Sequence, residues 1–502
     1  MSKERGIYNR IEETPANLAA AARKILKRQD WRFGHLTARV GENNRMIVEV
    51  LLLNTKEGNG IILSAPLPDD MPEYPSLTPE IPAAHRAERA VGDFFGIRAV
   101  GHPHWQTLVL NSDAWDPDLT PLSPTGKGKR EPFTFTEVKG EGIHEIPVGP
   151  IHAGIIEPGH FRFSCAGEII THMDIRLGYQ HRGIEKKLTE IPWQNTRFLA
   201  ESASSDTAAA NALAHTVAIE QIAGIKPSGR SQFLRTIAFE IERLANHIGD
   251  MGALSGDIGF SAGAALFAQG RGAVLGVAQA FTGVRRQRYY IKPGGVARDL
   301  DAERMKLVLQ GLADIKNRMK EHIPLVLENP AVIDRMENTG ILAPGMSKDF
   351  GMVGPAGRAS GSCYDARRAF PHGVYPEFAP EPAFRNTGDV LARAQVKAEE
   401  IGTTLSVISE LLEKLPEGEF CVKSIPENLP ANSTGIGIVE AWRGELIHWI
   451  TTNTEGKISR YSIKDPSFNN WTGLGIAVRG NLVADFPLCN KSFNLSYSGS
   501  DL

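Results

Sequence analysis

Cysteine is scarce: four residues, at positions 165, 363, 421 and 489, stand far apart in a chain of 502. None forms a C-x-x-C pair, which argues against a disulfide scaffold and against a zinc ribbon. Charge of one sign is also missing. The 55 Lys and Arg face 58 Asp and Glu, and a net charge of −3 offers nucleic acid or an anionic membrane surface no bulk attraction. No run of about 18 apolar residues occurs; the most apolar window, 252–283, is interrupted by Asp257 and Arg271. The opening stretch, MSKERGIYNRIEE, lacks the apolar segment of a secretory signal. A phosphate loop, a G-x-G-x-x-G after a strand, an H-E-x-x-H and a G-x-S-x-G are absent as well. Together these absences predict a soluble, cytosolic chain with no nucleic-acid partner. What is present, 42% hydrophobic and 23% charged residues, suffices for a large core in roughly three domains' worth of sequence.

Residues 1–120 read as a small α/β unit. MIVEVLLL (46–53) has the pattern of a buried strand, and after a turn at 57–60 IILSAPL continues as a second. A Pro-rich stretch spans 66–82, a helical segment starts at His85 and runs into 93–97, and Trp105 to Leu110 reads as another short strand. Residues 121–145, rich in Pro, Gly and charge and without a period of 2 or 3.6, read as a linker. Residues 146–502 form a large, mainly helical domain with peripheral strands, so the fold class is α+β. Helices are expected over 197–223, 230–251, 262–283, 300–327 and 388–414; strands are expected in GIGIVEAW, LIHWITT, RYSI and GIAVRG beyond residue 435. Seven alanines within 200–214 let helix axes approach closely.

Four polar clusters exceed what a structural helix requires. GYQHRGIEK (178–186) sets His181, Arg182 and Glu185 at a helix start, a binding edge or simply a solvated start with Glu at the favourable end of the dipole. In ESASSDT (201–207), Ser and Asp compete with the helix backbone for hydrogen bonds, which marks a cavity, a break, an interface, or an N-cap near Asp206 and Thr207. Asp257, between glycines at the junction of two apolar helices, would have a raised pKa unless a cation pairs with it; a plain turn aspartate is the alternative. Arg285, Arg286, Arg288 and Lys292 place four cations in eight residues around Gln287, facing an acidic partner, an electron-rich cofactor or solvent.

PVGPIH (147–152), EPGHFRF (157–163) and GYQHRGIEK together resemble the large subunit of energy-converting (group 4, formate-hydrogenlyase-type) hydrogenases. They equally resemble the quinone-pocket subunit of respiratory complex I. FEIERLANH (239–247), residues 290–296 and 354–371, RGEL (443–446) and DPSF (465–468) extend the match. The N-terminal unit, through Glu88-Arg89, DFFGI (93–97) and GHP (101–103), is similar to the small complex I subunit, so the chain resembles a fusion of the two.

For a hydrogenase, the resemblance implies four thiolates on nickel. The first pair falls on Ser204 and Thr207, and the C-terminal segment 485–492 offers the single Cys489. Aliphatic hydroxyls are too hard and too weakly acidic to replace thiolates, so no metal site and no conventional nickel–iron centre is expected on this chain. For complex I, the resemblance implies a His and a Tyr donating to a quinone head, with an Asp paired to the His. The Asp is Asp257, the Tyr position is Ser205, and the His position falls near Pro158, two residues before His160. Arg182, preceded by His181, matches an arginine beside the proximal 4Fe–4S cluster, which a small iron–sulfur partner carries; Gln287 stands where a histidine lies next to that cluster. The expectation is a core subunit, inactive alone, of an NADH:quinone oxidoreductase-like or hydrogenase-like complex. It would sit peripherally on the cytoplasmic side of the cell membrane with integral-membrane antiporter-like and proton-channel subunits. Electrons would pass from the partner's cluster to an acceptor, quinone foremost, with coupled proton or ion translocation, in a cavity lined by Ser204, Ser205, Asp206, Asp257 and His160. The rival readings are a non-catalytic scaffold subunit and, last, a nickel–iron hydrogenase.

Overall fold

The computed structural model describes residues 8–68, 72–154 and 156–502, so the first seven positions of the opening stretch lie outside the described residues. The N-terminal unit is a four-stranded sheet of β1 (Tyr8–Glu12), β2 (Trp31–Val40), β3 (Met46–Asn54) and β4 (Asn59–Pro66), in the order β1-β4-β3-β2. The near-continuous apolar run of β3 follows from burial of both its faces. Val48, Val50 and Leu52 pack with residues of α1 (Leu18–Leu26) and α2 (His85–Phe95). The alternate residues Leu51 and Leu53 pack against Ile436, Ile438, Ile447 and Trp449 of the large domain. A one-residue slip would exchange these two sets.

Trp105 to Leu110 is not a strand. The amides of Leu108, Val109 and Leu110 instead converge on the Asp93 carboxylate at 2.9, 2.7 and 3.1 Å, which removes the donors a sheet ladder needs. No helix or named strand lies between residues 101 and 142 among those described; a three-stranded antiparallel sheet of Ile143–Val148, His160–Ala166 and Ile169–Arg176 follows.

The expected helix over 197–223 is two, α4 (Thr196–Ala200) and α5 (Ala208–Ala223), preceded by α3 (Ile184–Glu190). α6 (Gly229–Asp257) and α7 (Ser261–Thr282) pack antiparallel, with Gly252 facing Phe267, and α8 (Ala302–Leu327) lies against α7. The helix Val390–Glu413, capped by Asp389 on the Ala392 amide at 2.8 Å, closes the bundle. A sheet of Thr434–Ala441, Gly444–Thr452 and Ile458–Lys464 sits between this bundle and the N-terminal sheet. Its glycines have a packing role: a Cβ on Gly437 would stand 1.9 Å from the Ala214 carbonyl oxygen of α5. GIAVRG (475–480) belongs to the end of the helix Ser467–Ala477 rather than to a strand. Gly473 is there because a Cβ would meet the Met352 sulfur at 2.5 Å. No helix among the described residues is long and apolar enough to cross a membrane.

Candidate functional site

The break between α4 and α5 builds the site. The Ser202 hydroxyl donates to the Leu199 carbonyl at 2.7 Å, and the chain leaves the helical path. Ser204 and Thr207 each donate to Asp206 at 3.0 Å. Arg443 grips both Asp206 oxygens at 2.7 Å and lies 3.9 Å over the Trp442 ring. Burial pushes the Asp206 carboxyl up, but the Arg443 guanidinium outweighs it and holds the group down to about 2. The Asp206 carbonyl accepts from Asn246 at 2.9 Å and from the Trp442 indole at 3.2 Å, which pins the turn to α6 and to the central sheet.

Arg182 approaches the same turn from outside, donating to the carbonyls of Ser202 and Ala203 at 2.9 Å each. His181 faces the other way: its Nδ1 lies 3.1 Å from the Asp501 carbonyl, and its ring stacks on Phe94, 5.4 Å between centroids, at the junction with the N-terminal unit.

Beyond Asp206 opens a narrow recess of about 30 Å³, walled by Ser205, Asp206, Glu242, Asn246, Arg271 and Gln287, with Arg285 and Arg286 at its edge. Glu242 accepts the Ala209 and Ala210 amides at 2.7 and 3.0 Å, at the positive end of α5. Burial, reinforced by Asp206, nonetheless pushes its carboxyl up to about 8. Gln287 is buried with φ 55°, and its Oε1 has no hydrogen-bond partner among the described residues; neither has Arg271 Nε.

Two expected wall residues are elsewhere. Asp257 ends α6 on an exposed turn, eleven residues past Asn246 and so about 16 Å farther along the helix. Desolvation raises its pKa against the opposing pull of Lys491. His160 braces the hairpin before it, Nδ1 3.1 Å from the Gly149 carbonyl and ring against Phe135; burial lowers its pKa. The group from this loop that reaches the C-terminal segment is Glu157, which accepts the Tyr497 and Ser498 amides at 3.1 and 3.3 Å and the Ser498 hydroxyl at 2.9 Å. Ser204 lies behind the recess, hydrogen-bonded to Ser496 at 3.0 Å. Glu242, Arg443, Asn246, Ser496 and Glu157 were not singled out from sequence. Glu242 and Asn246 had a signal, since i, i+4 spacing within FEIERLANH sets them on one helix face.

Residues 257–501 match the family described as respiratory-chain NADH dehydrogenase, 49 Kd subunit, and residues 11–130 match its 30 Kd counterpart. The chain is 33% identical to formate hydrogenlyase subunit 5 of Escherichia coli (strain K12) over 86% of its own length and 77% of that protein. It is 30% identical to the C/D subunit of the NADH-quinone oxidoreductase of Phocaeicola vulgatus, over 78% and 80% of the two chains. This chain belongs to the fused 30 kDa/49 kDa complex I family. A solved structure of the membrane-bound sulfane sulfur reductase (MBS), an archaeal respiratory membrane complex, superimposes with a TM-score of 0.68 at 25% identity, covering 72% of this chain and 99% of that one.

Two groups associated with this family by resemblance can be tested against the residues. A nickel–iron centre does not fit. The segment 485–492 forms the helix Phe486–Phe493, and Cys489 is buried there beside Gly340 and Arg393, not opposite Ser204. Opposite Ser204 stands Ser496, whose hydroxyl also accepts the Gly499 amide at 2.9 Å. The donors are hard hydroxyls, and no group of three or more His, Cys, Asp or Glu that could hold a metal occurs among the described residues. For the edge of a quinone head the recess offers the Ser205 hydroxyl and the Gln287 side chain; the Asn246 amide is already committed to the carbonyls of Asp206 and Glu242 at 2.9 Å each.

Proposed function

We propose that this chain is the core subunit of a membrane-associated, complex I-like oxidoreductase. It takes electrons from a 4Fe–4S cluster on a small iron–sulfur partner beside Arg182 and passes them to an acceptor, quinone foremost, in the recess at Ser205 and Gln287. The observation that carries this reading is adjacency: Arg182 holds the carbonyls of Ser202 and Ala203, and the next turn of chain, Ser205 and Asp206, is the wall of the recess. The names of the relatives, subunits of a formate hydrogenlyase and of NADH-quinone oxidoreductases, support the same class of chemistry.

A bound quinone would supply two-electron, two-proton chemistry. The chain's own residues supply the setting. Ser205 and Gln287 orient a carbonyl or hydroxyl edge, and Glu242 keeps a proton on its carboxyl at neutral pH because burial disfavours the anion. Arg443 keeps Asp206 ionised and the wall rigid. Proton uptake at Glu242 would be linked to ion movement through integral-membrane partner subunits, with the chain peripheral on the cytoplasmic face. A pure scaffold role is disfavoured by Gln287 Oε1 and Arg271 Nε, which stay buried without partners among the described residues where an idle wall would gain by pairing or covering them.

The test is elemental analysis and cluster re-oxidation in the complex purified intact from native membranes. Four or more irons per chain without nickel, and re-oxidation of the reduced cluster by added quinone, would support the proposal. Nickel near one per chain, or a cluster indifferent to every quinone, would overturn it.

A further inference from the structure

The fold leaves a second cleft, about 700 Å³, where the N-terminal unit meets the large domain, lined by none of the residues of the recess at Gln287. One wall is α2 and the segment after Gly101; the other is the strand Ile169–Arg176 and the helix Ser467–Ala477. Arg86 and Arg89, three apart on one face of α2, both line it.

Arg86 is the informative residue. It is 7% exposed, yet among the described residues it makes no hydrogen bond and no ion pair, and its Nε is buried without a partner. Its guanidinium lies over the face of Phe468, with Cζ 5.2 Å from the ring centroid. The carboxylate whose charge favours it, Asp501, is occupied by the amides of Gly178 and Gln180 at 2.9 and 3.0 Å. Arg89 donates to the carbonyls of Gln106 and Thr107 at 2.9 and 2.7 Å and makes no salt bridge, while Asp93 and Asp174 favour its charge at longer range. A buried charge with no counter-ion is costly, so a native cleft that keeps one is shaped for an anion.

The rest of the cleft agrees. Its carboxylate, Asp174, already accepts from Thr136 at 2.6 and 3.1 Å and contacts His172 at 3.0 Å. Burial and the field of Arg89 hold His85 down to about 2 and lower His104, so these rings are neutral and add no competing charge. Pro79, Pro82, Phe133 and Phe350 also line the cleft and give it an apolar wall. Guanidinium forks match the paired oxygens of phosphate, and two neighbouring cations without a salt bridge favour a multiply charged anion over a single carboxylate.

We propose that this interdomain cleft binds a phosphate ester, its phosphate on Arg86 and Arg89 and its flat or apolar body against the proline–phenylalanine wall. The ligand could be a soluble nucleotide or a phospholipid, which share this chemistry. Titration calorimetry on the purified intact complex would use pyrophosphate for the charge alone, ATP for charge with a ring, and a short-chain phosphatidic acid for charge with alkyl chains. The expected result is that ATP or the lipid binds more tightly than pyrophosphate, and whichever does so identifies the source. Arg86→Gln should weaken that binding about tenfold or more, the weight of one charge-assisted contact. It should fold normally, because it removes a cation the chain does not pair, and should leave quinone-dependent turnover unchanged. Arg479→Gln, at the exposed rim, is the second variant and should weaken binding less. No binding of any probe, binding equal for all three, or binding unaffected by Arg86→Gln would overturn the proposal. None of these outcomes bears on the recess at Gln287.

Discussion

Replacing Asp206 by Asn tests the logic of the site most directly. The substitution keeps the shape but removes the charge that both Arg443 nitrogens and two hydroxyls address at 2.7 to 3.0 Å. Two routes bound the cost. Holding the carboxyl at about 2 instead of 3.8 corresponds to about 2.5 kcal/mol. Leaving a buried arginine without its partner typically costs about 3–5 kcal/mol. Arg443 also feels Asp465 and Asp250 at longer range, which draws the figure toward the lower end. A chain of this length should have an unfolding entropy of about 1 kcal/mol per degree if it melts as a unit, so the melting temperature should fall by about 3–4 °C. Because the folded pKa is depressed, the stabilisation is full above pH 3.8 and is lost as pH falls through about 2. The difference between wild type and variant should therefore narrow only in strong acid. The double change Asp206→Asn with Arg443→Met should cost less than the sum of the single changes, since no charge is left alone. Calorimetric melting of all four proteins measures this. A single variant melting within about 1 °C of wild type, or strictly additive changes, would refute the account of the pair.

Three further outcomes follow from the geometry. Glu242→Gln should abolish an alkaline inflection near pH 8 in quinone-dependent turnover of the intact complex. The raised carboxyl keeps its proton below that value and loses it above, so a limb that persists in the variant would remove Glu242 from proton handling. Asp257→Asn should leave quinone affinity within about twofold of wild type, because its carboxyl lies well outside the recess; a large loss of affinity would show that the wall extends along α6. Arg182→Gln removes a cation beside the partner's cluster and two bonds to the 202–203 turn. The cluster's reduction potential, read by redox titration with paramagnetic resonance, should fall; an unchanged potential would place the cluster away from Arg182.

Local patterns carried much of the architecture, and the misreadings have definite causes. The apolar run of β3, the alanines of α5 and the spaced apolar residues of α8 from Met305 to Met319 each reflect burial that any partner surface would impose. Trp105 to Leu110 has strand-like residues, but Asp93, more than ten positions earlier, claims its amides. GIAVRG has the β-branched and glycine content of a strand, whereas its glycine-rich neighbourhood serves close packing against Met352 within a helix. The interruption at ESASSDT was visible as a conflict between side chains and helix backbone, though not which of its groups would face open space.

Composition, periodicity and motif order by themselves determined a cysteine-poor, charge-balanced α+β chain of two fused units, and marked 201–207 as a cavity, a break, an interface or an N-cap without choosing between them. These properties depend on neighbours within a few residues or on one face of one element. Tertiary structure alone decided that Ser205, Glu242, Asn246 and Gln287 share a recess and that Ser496 rather than Cys489 stands opposite Ser204. It likewise decided that Asp257 and His160 lie outside the recess and that Arg86 is buried without a partner. Such facts depend on how α5, α6 and the C-terminal segment cross in space. Helix packing brings side chains separated by tens to hundreds of positions within hydrogen-bond reach, and no local pattern encodes those distances.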